Sequence, residues 1–259
     1  MEAALNGRVA VITGGSKGLG RAIAARMAQS GADVAIIARD PKVLEEARAA
    51  VKQTAKGRVA AFSCDVKRAD AIASTYSEIM TAFGRVDIVV NNAGVSQTGP
   101  FMSITDEVWQ GDLDLKLFAA IRLTRHAWPQ MVERRWGRVI NVLNIGAKAP
   151  KAASAPTSVS RAAGMALTKV LAGEGAPHNI LVNSLHVGLI DSDQWRRRHS
   201  EMGQGTYEEY LAKMASPVPL GRVGTSEEFA NVACFLASDL ASYVTGTSIN
   251  VDGNLSPVM

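Results

Sequence analysis

Cysteine is scarce in this chain of 259 residues, and long apolar segments are missing. The two cysteines, Cys64 and Cys234, stand far apart without the spacing of metal ligands, which argues against a disulfide framework and against a zinc site. We expect both to be free thiols in the core and no metal to be bound. Since no run of 18 apolar residues is present, we also expect no membrane span.

The sequence shows no internal repeat and no low-complexity linker, and we expect no signal peptide. The N-terminal segment MEAALNGRVAVITGG lacks a basic flank and a long apolar stretch, and it passes directly into a strand pattern. A chain of this length with 47% hydrophobic residues suits one domain around one core. We therefore expect a single domain over residues 1–259, located in the cytoplasm.

The charge pattern does not indicate nucleic-acid binding, although the net charge is +4 and the isoelectric point is about 9.2. The basic residues are scattered, apart from Arg134, Arg135 and Arg138 and the group Arg196–His199. We predict no nucleic-acid partner. The second group fits two interpretations, a solvated helix face or a surface that attracts an anionic substrate.

Short apolar, β-branched runs alternate with helical patterns along the chain. Seven buried strands separated by helices predict a doubly wound parallel seven-stranded sheet in a three-layer α/β/α domain. The first helix is expected from about Leu19 to Gly31, where glycine suits a left-handed cap. The predicted strands are Arg8–Thr13, Asp33–Ala38, Val59–Cys64, Val86–Val90, Val139–Leu143, Ile180–Leu185 and Ser248–Val251.

Residues 191–219 depart from this alternation, because they are rich in charge, glycine and methionine and end in prolines. Long excursions from compact domains are often lids or binding loops. We predict that this segment is a lid over a small-molecule substrate.

A glycine-rich turn follows the first predicted strand, and a helix pattern opens directly after it. Its sequence is Thr13-Gly14-Gly15-Ser16-Lys17-Gly18-Leu19-Gly20. Glycines let the backbone turn sharply and approach a pyrophosphate, whose charge is favoured by free amides and the positive end of the helix. The order of strand, glycines and helix predicts a dinucleotide site in a Rossmann-type domain.

The spacing Thr-Gly-x-x-x-Gly-x-Gly resembles that of the short-chain dehydrogenase/reductase family. The similarity extends over the whole chain, through NNAG at residues 91–94, NSLHVGLIDS at residues 183–192, Thr245-Gly246, and VDG at residues 251–253. It implies that Asp65 and Val66 flank the adenine, that Asn91, Ala93 and Gly94 lie beside the adenosine ribose, and that residues 187–192 lie beside the nicotinamide. The expected cofactor contacts are Gly14, Ser16, Lys17, Gly18, Leu19, Gly20, Arg39, Asp65, Val66, Asn91, Ala93, Gly94, Val142, Arg161, Val187, Gly188, Ile190 and Ser192.

Charge near the second strand distinguishes the two nicotinamide cofactors. An NAD site places an acid about twenty residues beyond the glycines, whereas the 2′-phosphate of NADP needs a cation. Here Arg39 ends the second predicted strand and Lys17 lies in the glycine turn. An arginine fork and a lysine point charge both suit a phosphate, so NADP(H) is the predicted cofactor.

Members of the family resemble one another in a catalytic tetrad of Asn, Ser, Tyr and Lys, in which Tyr protonates the carbonyl as hydride arrives. The resemblance places Asp114, Asn144, Thr157 and Arg161 at these four positions. The pKa of tyrosine lies near 10, whereas an aliphatic hydroxyl is about as weak an acid as water, a difference of roughly 7 to 8 kcal/mol for proton transfer. Arg161 can still donate to the nicotinamide ribose. We expect cofactor binding to be kept and tyrosine-type acid catalysis to be lost.

Other side chains are candidates for the missing acid, each with a structural alternative: Tyr207, Tyr210, His186, Lys148 and Lys151. Asp114 suggests a further hypothesis. An iminium substrate accepts hydride without simultaneous protonation, and a buried carboxylate would stabilise its charge. Alternatively, Asp114 pairs with Arg161.

Two functions follow from this reading. The first is an NADP(H)-dependent oxidoreductase with a non-standard active site, acting on a small carbonyl, alcohol or imine, with an anionic group on the substrate as one option. The second is a catalytically silent NADP(H)-binding sensor or partner subunit.

Gly173 and Gly175 interrupt the helix after Arg161, which fits either close backbone approach or a looser helix. The family resemblance implies a homotetramer, or else a dimer.

Overall fold

Seven parallel strands form the central sheet of this computed structural model, which describes residues 3–203 and 205–259. Met1 and Glu2 of the predicted domain and Gln204 of the predicted lid lie outside the described residues. The strands are β1 (Val9–Thr13), β2 (Asp33–Ala38), β3 (Val59–Ser63), β4 (Ile88–Asn91), β5 (Gly137–Asn144), β6 (Ile180–Val187) and β7 (Ser248–Val251). The order across the sheet, β3-β2-β1-β4-β5-β6-β7, confirms the predicted doubly wound topology.

Helices cover both faces of the sheet. They are α1 (Gly18–Gln29), α2 (Pro41–Lys52), α3 (Ala69–Phe83), α4 (Asp106–Leu113), α5 (Ala119–Arg134), α6 (Thr157–Gly175), α7 (Asp193–Met202), α8 (Tyr207–Ala215) and α9 (Ser226–Ala237). A π-helical segment, Asp114–Phe118, joins α4 to α5. The predicted lid therefore contains two helices, α7 and α8, rather than an irregular loop.

The strand pleat explains the two cores. Successive side chains of a strand point to opposite faces, so Ala10 and Ile12 of β1 join the core beneath α1, α2 and α9. Val11 joins the core beneath α3, α5 and α6. Cys64 and Cys234 are buried free thiols in these two cores, as predicted. Among the described residues, no helix is long and apolar enough to cross a membrane.

Asp87, directly before β4, ties three elements together at the amino-terminal edge of the sheet. Its carboxylate is fully buried and accepts a hydrogen bond from the Val9 amide at 2.9 Å. Arg85 donates to it through two nitrogens at 2.8 and 2.6 Å, and Arg134 of α5 lies 3.4 Å away. The glycine turn follows β1 and residues 92–94 follow β4. The Asp87 interactions hold these two strands together at their opposite ends.

The two glycines of α6 have different surroundings. A Cβ on Gly175 would lie 2.7 Å from the carbonyl oxygen of Ile180, so this glycine permits close packing of α6 against β6. A Cβ on Gly173 would meet no described atom within 4 Å beyond the neighbouring backbone of its own helix, so this position faces open space. Close backbone approach within the chain therefore explains Gly175 and leaves Gly173 unexplained by intrachain packing.

Candidate active site

A cleft of about 1010 Å³ opens at the carboxyl ends of the central strands. Its wall contains nearly all of the predicted cofactor residues: Gly14, Ser16, Lys17, Gly18, Leu19, Gly20, Arg39, Val66, Ala93, Gly94, Val142, Arg161, Val187, Gly188, Ile190 and Ser192. Two predicted contacts, Asp65 and Asn91, are not part of this wall. The cleft thus brings together segments that are far apart in the sequence.

The glycine turn is shaped by close backbone approach. Gly14 has φ +65° and Gly18 has φ +50°, a region that favours glycine. A Cβ on Gly20 would overlap the carbonyl oxygen of Gly14, so α1 starts directly against the turn. A helix that starts here offers its first amides to an anion such as a pyrophosphate, and the first of them, the Gly18 amide, is bonded to the Asp193 carboxylate at 3.0 Å.

Thr13 links the glycine turn to the end of β4. Its hydroxyl accepts hydrogen bonds from the amides of Asn92 and Ala93, both at 3.0 Å, and donates to the Val90 carbonyl at 3.3 Å. The Asn92 side chain donates to the carbonyl oxygen of Thr13 at 2.9 Å. These bonds explain why a threonine precedes the glycines and why Asn92, which the sequence analysis did not select, lines the cleft.

The asparagine before it points into the protein instead. Asn91 is buried, and its Nδ2 donates to Thr124 at 3.1 Å and to Asn141 at 2.9 Å. It therefore braces β4 against β5 and α5, and its predicted contact with the cofactor is not supported. Asp65 accepts from the Lys67 amide at 3.1 Å and turns the chain after β3.

The end of β2 places a cation, Arg39, on the cleft wall. Arg39 is exposed and lines the cleft, with Lys17 on the neighbouring turn. Asp40 is the nearest carboxylate in the sequence, but it caps α2 by accepting from the amides of Lys42 at 3.0 Å and Val43 at 3.2 Å. This arrangement fits a 2′-phosphate better than a free ribose hydroxyl.

The predicted lid borders the cleft and touches the glycine turn. Asp193 at the start of α7 accepts a hydrogen bond from the Gly18 amide at 3.0 Å. Trp195, Arg197 and Arg198 line the cleft, and the Arg198 guanidinium lies 4.7 Å from the Trp195 ring centre. The cleft therefore has a basic and partly aromatic wall on the side of α7.

Three of the four predicted tetrad positions meet at the inner end of the cleft. Asn144, Thr157 and Arg161 line it together, at the end of β5 and in the first turns of α6. Asn144 Oδ1 is buried and has no hydrogen-bond partner among the described residues. A buried carbonyl oxygen of this kind is an acceptor that a ligand donor can satisfy.

Asp114 does not join them. Its carboxylate accepts from Gln110 at 3.0 Å and lies 3.3 Å from Arg122, with about a quarter of the side chain exposed. Neither of the pairings proposed for it, with an iminium or with Arg161, is therefore supported by its position.

Lys116 occupies the position beside Thr157 instead. Lys116 and Asp114 lie on different sides of the π-helical segment, because Asp114 contacts Gln110 and Arg122. Its ammonium donates to the Thr157 hydroxyl at 2.7 Å and pairs with Asp112, one helical turn earlier. The side chain is 1% exposed and lies behind Gly94 and Thr157 of the cleft wall. A lysine between two leucines on this helix was the sequence signal that could have identified it.

Thr157 has every hydrogen-bonding capacity in use. Its hydroxyl donates to the Gln97 carbonyl at 2.7 Å and accepts from the Gln97 amide at 2.9 Å, besides accepting from Lys116. A hydroxyl has one donor and two acceptor positions. Thr157 is therefore a fixed bridge between Lys116 and the cleft.

Burial shifts the pKa values of the two cations here. Burial, together with the nearby Arg161 charge, lowers the pKa of Lys116 to about 8, while Asp112 acts in the opposite direction. Burial lowers the pKa of Arg161 to about 10, again with Asp112 opposing, so both side chains are mainly cationic at neutral pH. Arg161 also donates to the Val142 carbonyl at 2.8 Å.

The other candidate acids are placed for structural work. His186 is fully buried; its ring nitrogens contact the Asn144 carbonyl and the Ser184 hydroxyl, and burial lowers its pKa. The Tyr207 hydroxyl donates to Asp191 at 2.5 Å, and burial and this bond raise its pKa. Lys148 donates to the Ser248 carbonyl at 2.6 Å. The remaining two are Lys151, which is exposed, and Tyr210, which packs against His199 and Tyr207.

Comparisons with known proteins identify the family to which this chain belongs. Residues 14–256 match a family model described as enoyl-(acyl carrier protein) reductase. The 3-oxoacyl-[acyl-carrier-protein] reductase FabG of Aquifex aeolicus is 34% identical over 258 residues, which cover 98% of this chain and 100% of that protein.

Solved structures agree over the full length. The L-sorbose reductase of Gluconobacter frateurii, in complex with NADPH and L-sorbose, has a TM-score of 0.95 and 34% identity, with 100% of both chains covered. A short chain oxidoreductase of Pseudomonas aeruginosa PAO1 containing an atypical catalytic center, bound to NADPH, has a TM-score of 0.92 and 36% identity, with 99% of both chains covered. Since both the family model and these relatives span almost the whole sequence, the chain belongs to the short-chain dehydrogenase/reductase family.

Proposed function

We propose that this protein is an NADP(H)-dependent oxidoreductase that interconverts a small carbonyl compound and its alcohol, with Lys116 as the proton source in place of tyrosine. The observation that carries the proposal is the buried Lys116 ammonium bonded to Thr157 at the inner end of the cleft. The oxidoreductase of Pseudomonas aeruginosa with an atypical catalytic center supports the idea that the family accommodates non-standard sites.

NADP(H) is the cofactor. The glycine turn leaves room where the pyrophosphate must approach, and Arg39 and Lys17 supply the cations for the 2′-phosphate. Residues 187–192 and Arg161 border the end of the cleft where the nicotinamide would lie. The L-sorbose reductase and the oxidoreductase of Pseudomonas aeruginosa both bind NADPH.

The proton path follows from the hydrogen bonds. NADPH, when bound, supplies the hydride that reduces the carbonyl carbon. The carbonyl oxygen then takes the hydroxyl proton of Thr157, whose hydroxyl must turn away from Gln97, and Thr157 takes a proton from Lys116. Lys116 is left neutral. The two proton transfers occur together, so no threonine alkoxide forms and Lys116 is the acid, with a pKa of about 8 that lies below that of an unperturbed tyrosine.

The charge of the site favours carbonyl over imine reduction. Lys116 and Arg161 are both cations, and they stabilise negative charge that develops on an oxygen. An iminium ion would be repelled by the same pair. Asp114, which would have stabilised it, points toward Gln110 and Arg122.

We further propose that the substrate carries an anionic or strongly polar group. Arg197 and Arg198 line the outer part of the cleft beside Trp195, and the neighbouring segment 191–219 serves as the lid. The relatives act on 3-oxoacyl-[acyl-carrier-protein] and on L-sorbose, which offers two starting points for a substrate search. A catalytically silent sensor is less well supported, because cofactor binding alone does not require a buried Lys116 ammonium bonded to Thr157 of the cleft wall.

The protein forms a homo-oligomer, a tetramer or else a dimer. The outer side of α6 supports this proposal, because Gly173 faces open space and Val170 is 57% exposed on the same helix. A backbone that can be approached closely beside an exposed apolar residue suits helix packing against a second copy.

A substrate panel tests the proposed function. NADPH absorbance is followed with L-sorbose, acetoacetyl coenzyme A, a simple ketone and a cyclic imine, using the unaltered protein. We expect turnover of a carbonyl compound in preference to the imine. The comparison protein carries Lys116→Asn, Asn144→Ser, Thr157→Tyr and Arg161→Lys together. Turnover by this comparison protein alone would support the silent alternative.

Arg39→Ala tests the cofactor assignment. Loss of a charge-assisted hydrogen bond to the 2′-phosphate is expected to raise the Kd of NADPH by roughly 10- to 100-fold. The Kd of NADH should change little, since it has no such phosphate. Both constants can be measured by nicotinamide fluorescence, with Arg48→Ala as control, because Arg48 pairs with Glu45 on the exposed side of α2. A wild-type Kd for NADH as low as that for NADPH contradicts the assignment.

A further inference from the structure

We propose that Asp112 is a positioning residue that keeps Lys116 protonated and thereby sets the pH above which reduction fails. The inference rests on the proposed function of Lys116. It concerns a residue that neither lines the cleft nor reaches the substrate, since the Asp112 side chain is 1% exposed and the cleft wall does not include it.

Both oxygens of Asp112 are occupied by defined partners. Oδ1 accepts from Lys116, and Oδ2 accepts from the Ser160 hydroxyl at 2.6 Å. Ser160 also donates to the Thr157 carbonyl at 3.1 Å. Asp112 on α4 is therefore held against the start of α6, which carries Thr157 and, one turn later, Arg161. This geometry holds the lysine, the threonine and the arginine in one arrangement.

The charges of this buried cluster do not balance without Asp112. Three groups surround the Lys116 ammonium. They are the Asp112 carboxylate one helical turn earlier, the Arg161 guanidinium on α6 and the uncharged Thr157 hydroxyl on α6. With the carboxylate, two cations and one anion give a net charge of +1. Without it, two buried cations would stand together, and the weaker base, Lys116, would lose its proton. Asp112 is thus the counter-charge that makes a buried lysine usable as an acid.

The test measures the protonation of Lys116 directly and needs no substrate. In protein labelled with ¹³C-lysine, the Lys116 ε-carbon resonance is identified as the one missing from Lys116→Met and is titrated with pH. Asp112→Asn, which has nearly the same shape, is expected to lower the pKa of Lys116 by about one to three units relative to the unaltered protein. Asp112→Glu keeps the charge and should leave the value within about half a unit.

Activity provides the second readout. Turnover is measured against pH with the carbonyl substrate found in the panel and saturating NADPH. The pH above which Asp112→Asn loses turnover should lie below that of the unaltered protein by the same amount as the Lys116 pKa, and acidification should restore turnover. A purely structural defect would not be rescued by acid. Asp112→Ser is a second neutral variant if the asparagine protein does not fold.

The outcomes separate the two proposals. An unchanged Lys116 pKa in the neutral variants, or an equal shift in Asp112→Asn and Asp112→Glu, overturns the role of Asp112. If the pKa shifts as expected but Lys116→Met reduces the substrate as fast as the unaltered protein, the proposed function of Lys116 fails while the electrostatic role of Asp112 stands.

Discussion

Lys116→Met is expected to lower kcat for carbonyl reduction by about 10²- to 10⁴-fold, the contribution usual for a positioned general acid. Methionine keeps the length of the side chain but cannot donate a proton to Thr157 or pair with Asp112. Because Lys116 lies behind the cleft wall, the Kd of NADPH should stay within about threefold of the unaltered value. Stopped-flow measurement of NADPH oxidation and fluorescence titration of NADPH give the two quantities.

A matched lysine provides the control. Lys148 lies in the loop after Asn144 and donates to the Ser248 carbonyl, outside the proton path. Lys148→Met should therefore retain kcat within about fivefold, well below the effect of a general acid.

The relay also makes the threonine testable. Thr157→Val removes the hydroxyl that connects Lys116 to the cleft and should approach the loss seen for Lys116→Met, whereas Thr157→Ser restores the hydroxyl and most of the activity. Full activity in Thr157→Val would mean that Lys116 reaches the substrate by another route. Full activity in Lys116→Met would falsify the assignment of the acid.

Asp87→Ala is expected to lower the free energy of unfolding by about 3 kcal/mol, near the lower limit for breaking a buried ion pair. The lower limit applies because the Arg85 side chain is 37% exposed, so water solvates part of its charge when the carboxylate is removed. The buried Val9 amide is nevertheless left without its acceptor. For a chain of about this size, such a loss corresponds to a decrease in Tm of roughly 6 to 12 °C, measurable by differential scanning calorimetry at equal protein concentration.

The exposed pair Arg68–Asp70 is the control for this measurement. Both side chains are about two-thirds exposed, at 67% and 68%, so Asp70→Ala should leave the Tm unchanged within error. Equal effects of Asp87→Ala and Asp70→Ala would show that burial does not strengthen the Asp87 interactions.

The cofactor end could be predicted in detail because its signals are local. The turn Thr13–Gly20 combines a strand end, glycines with positive φ and a helix start within eight neighbouring residues. The strand bounds were similarly accessible, since a buried parallel strand is a continuous apolar run. Asn91 and Asn92 show the limit of this approach. The sequence does not reveal which of two adjacent asparagines faces the cleft. Successive side chains point in opposite directions at a strand end, and here Asn92 lines the cleft while Asn91 points into the protein.

The catalytic end was harder to predict because helix phase decides it. The family resemblance placed the first tetrad position at Asp114, whereas Lys116, two residues later in the π-helical segment Asp114–Phe118, is the side chain that contacts Thr157. The saturation of the Thr157 hydroxyl was equally invisible, because its partner Gln97 lies 60 positions away in the sequence. Thr157 could be recognised as a weak acid from its chemistry, but not as a relay.

The hydrogen bond between the Gly18 amide and the Asp193 carboxylate joins two residues that lie 175 positions apart in the sequence. One amide has one hydrogen, so the carboxylate of α7 and a phosphate oxygen are mutually exclusive occupants of the Gly18 amide. Any ligand that takes this hydrogen bond must first detach the first turn of α7, and by reciprocity a firmly attached α7 weakens that ligand. For a cofactor phosphate that takes the Gly18 amide, binding of the cofactor and release of the first turn of α7 would be one linked equilibrium.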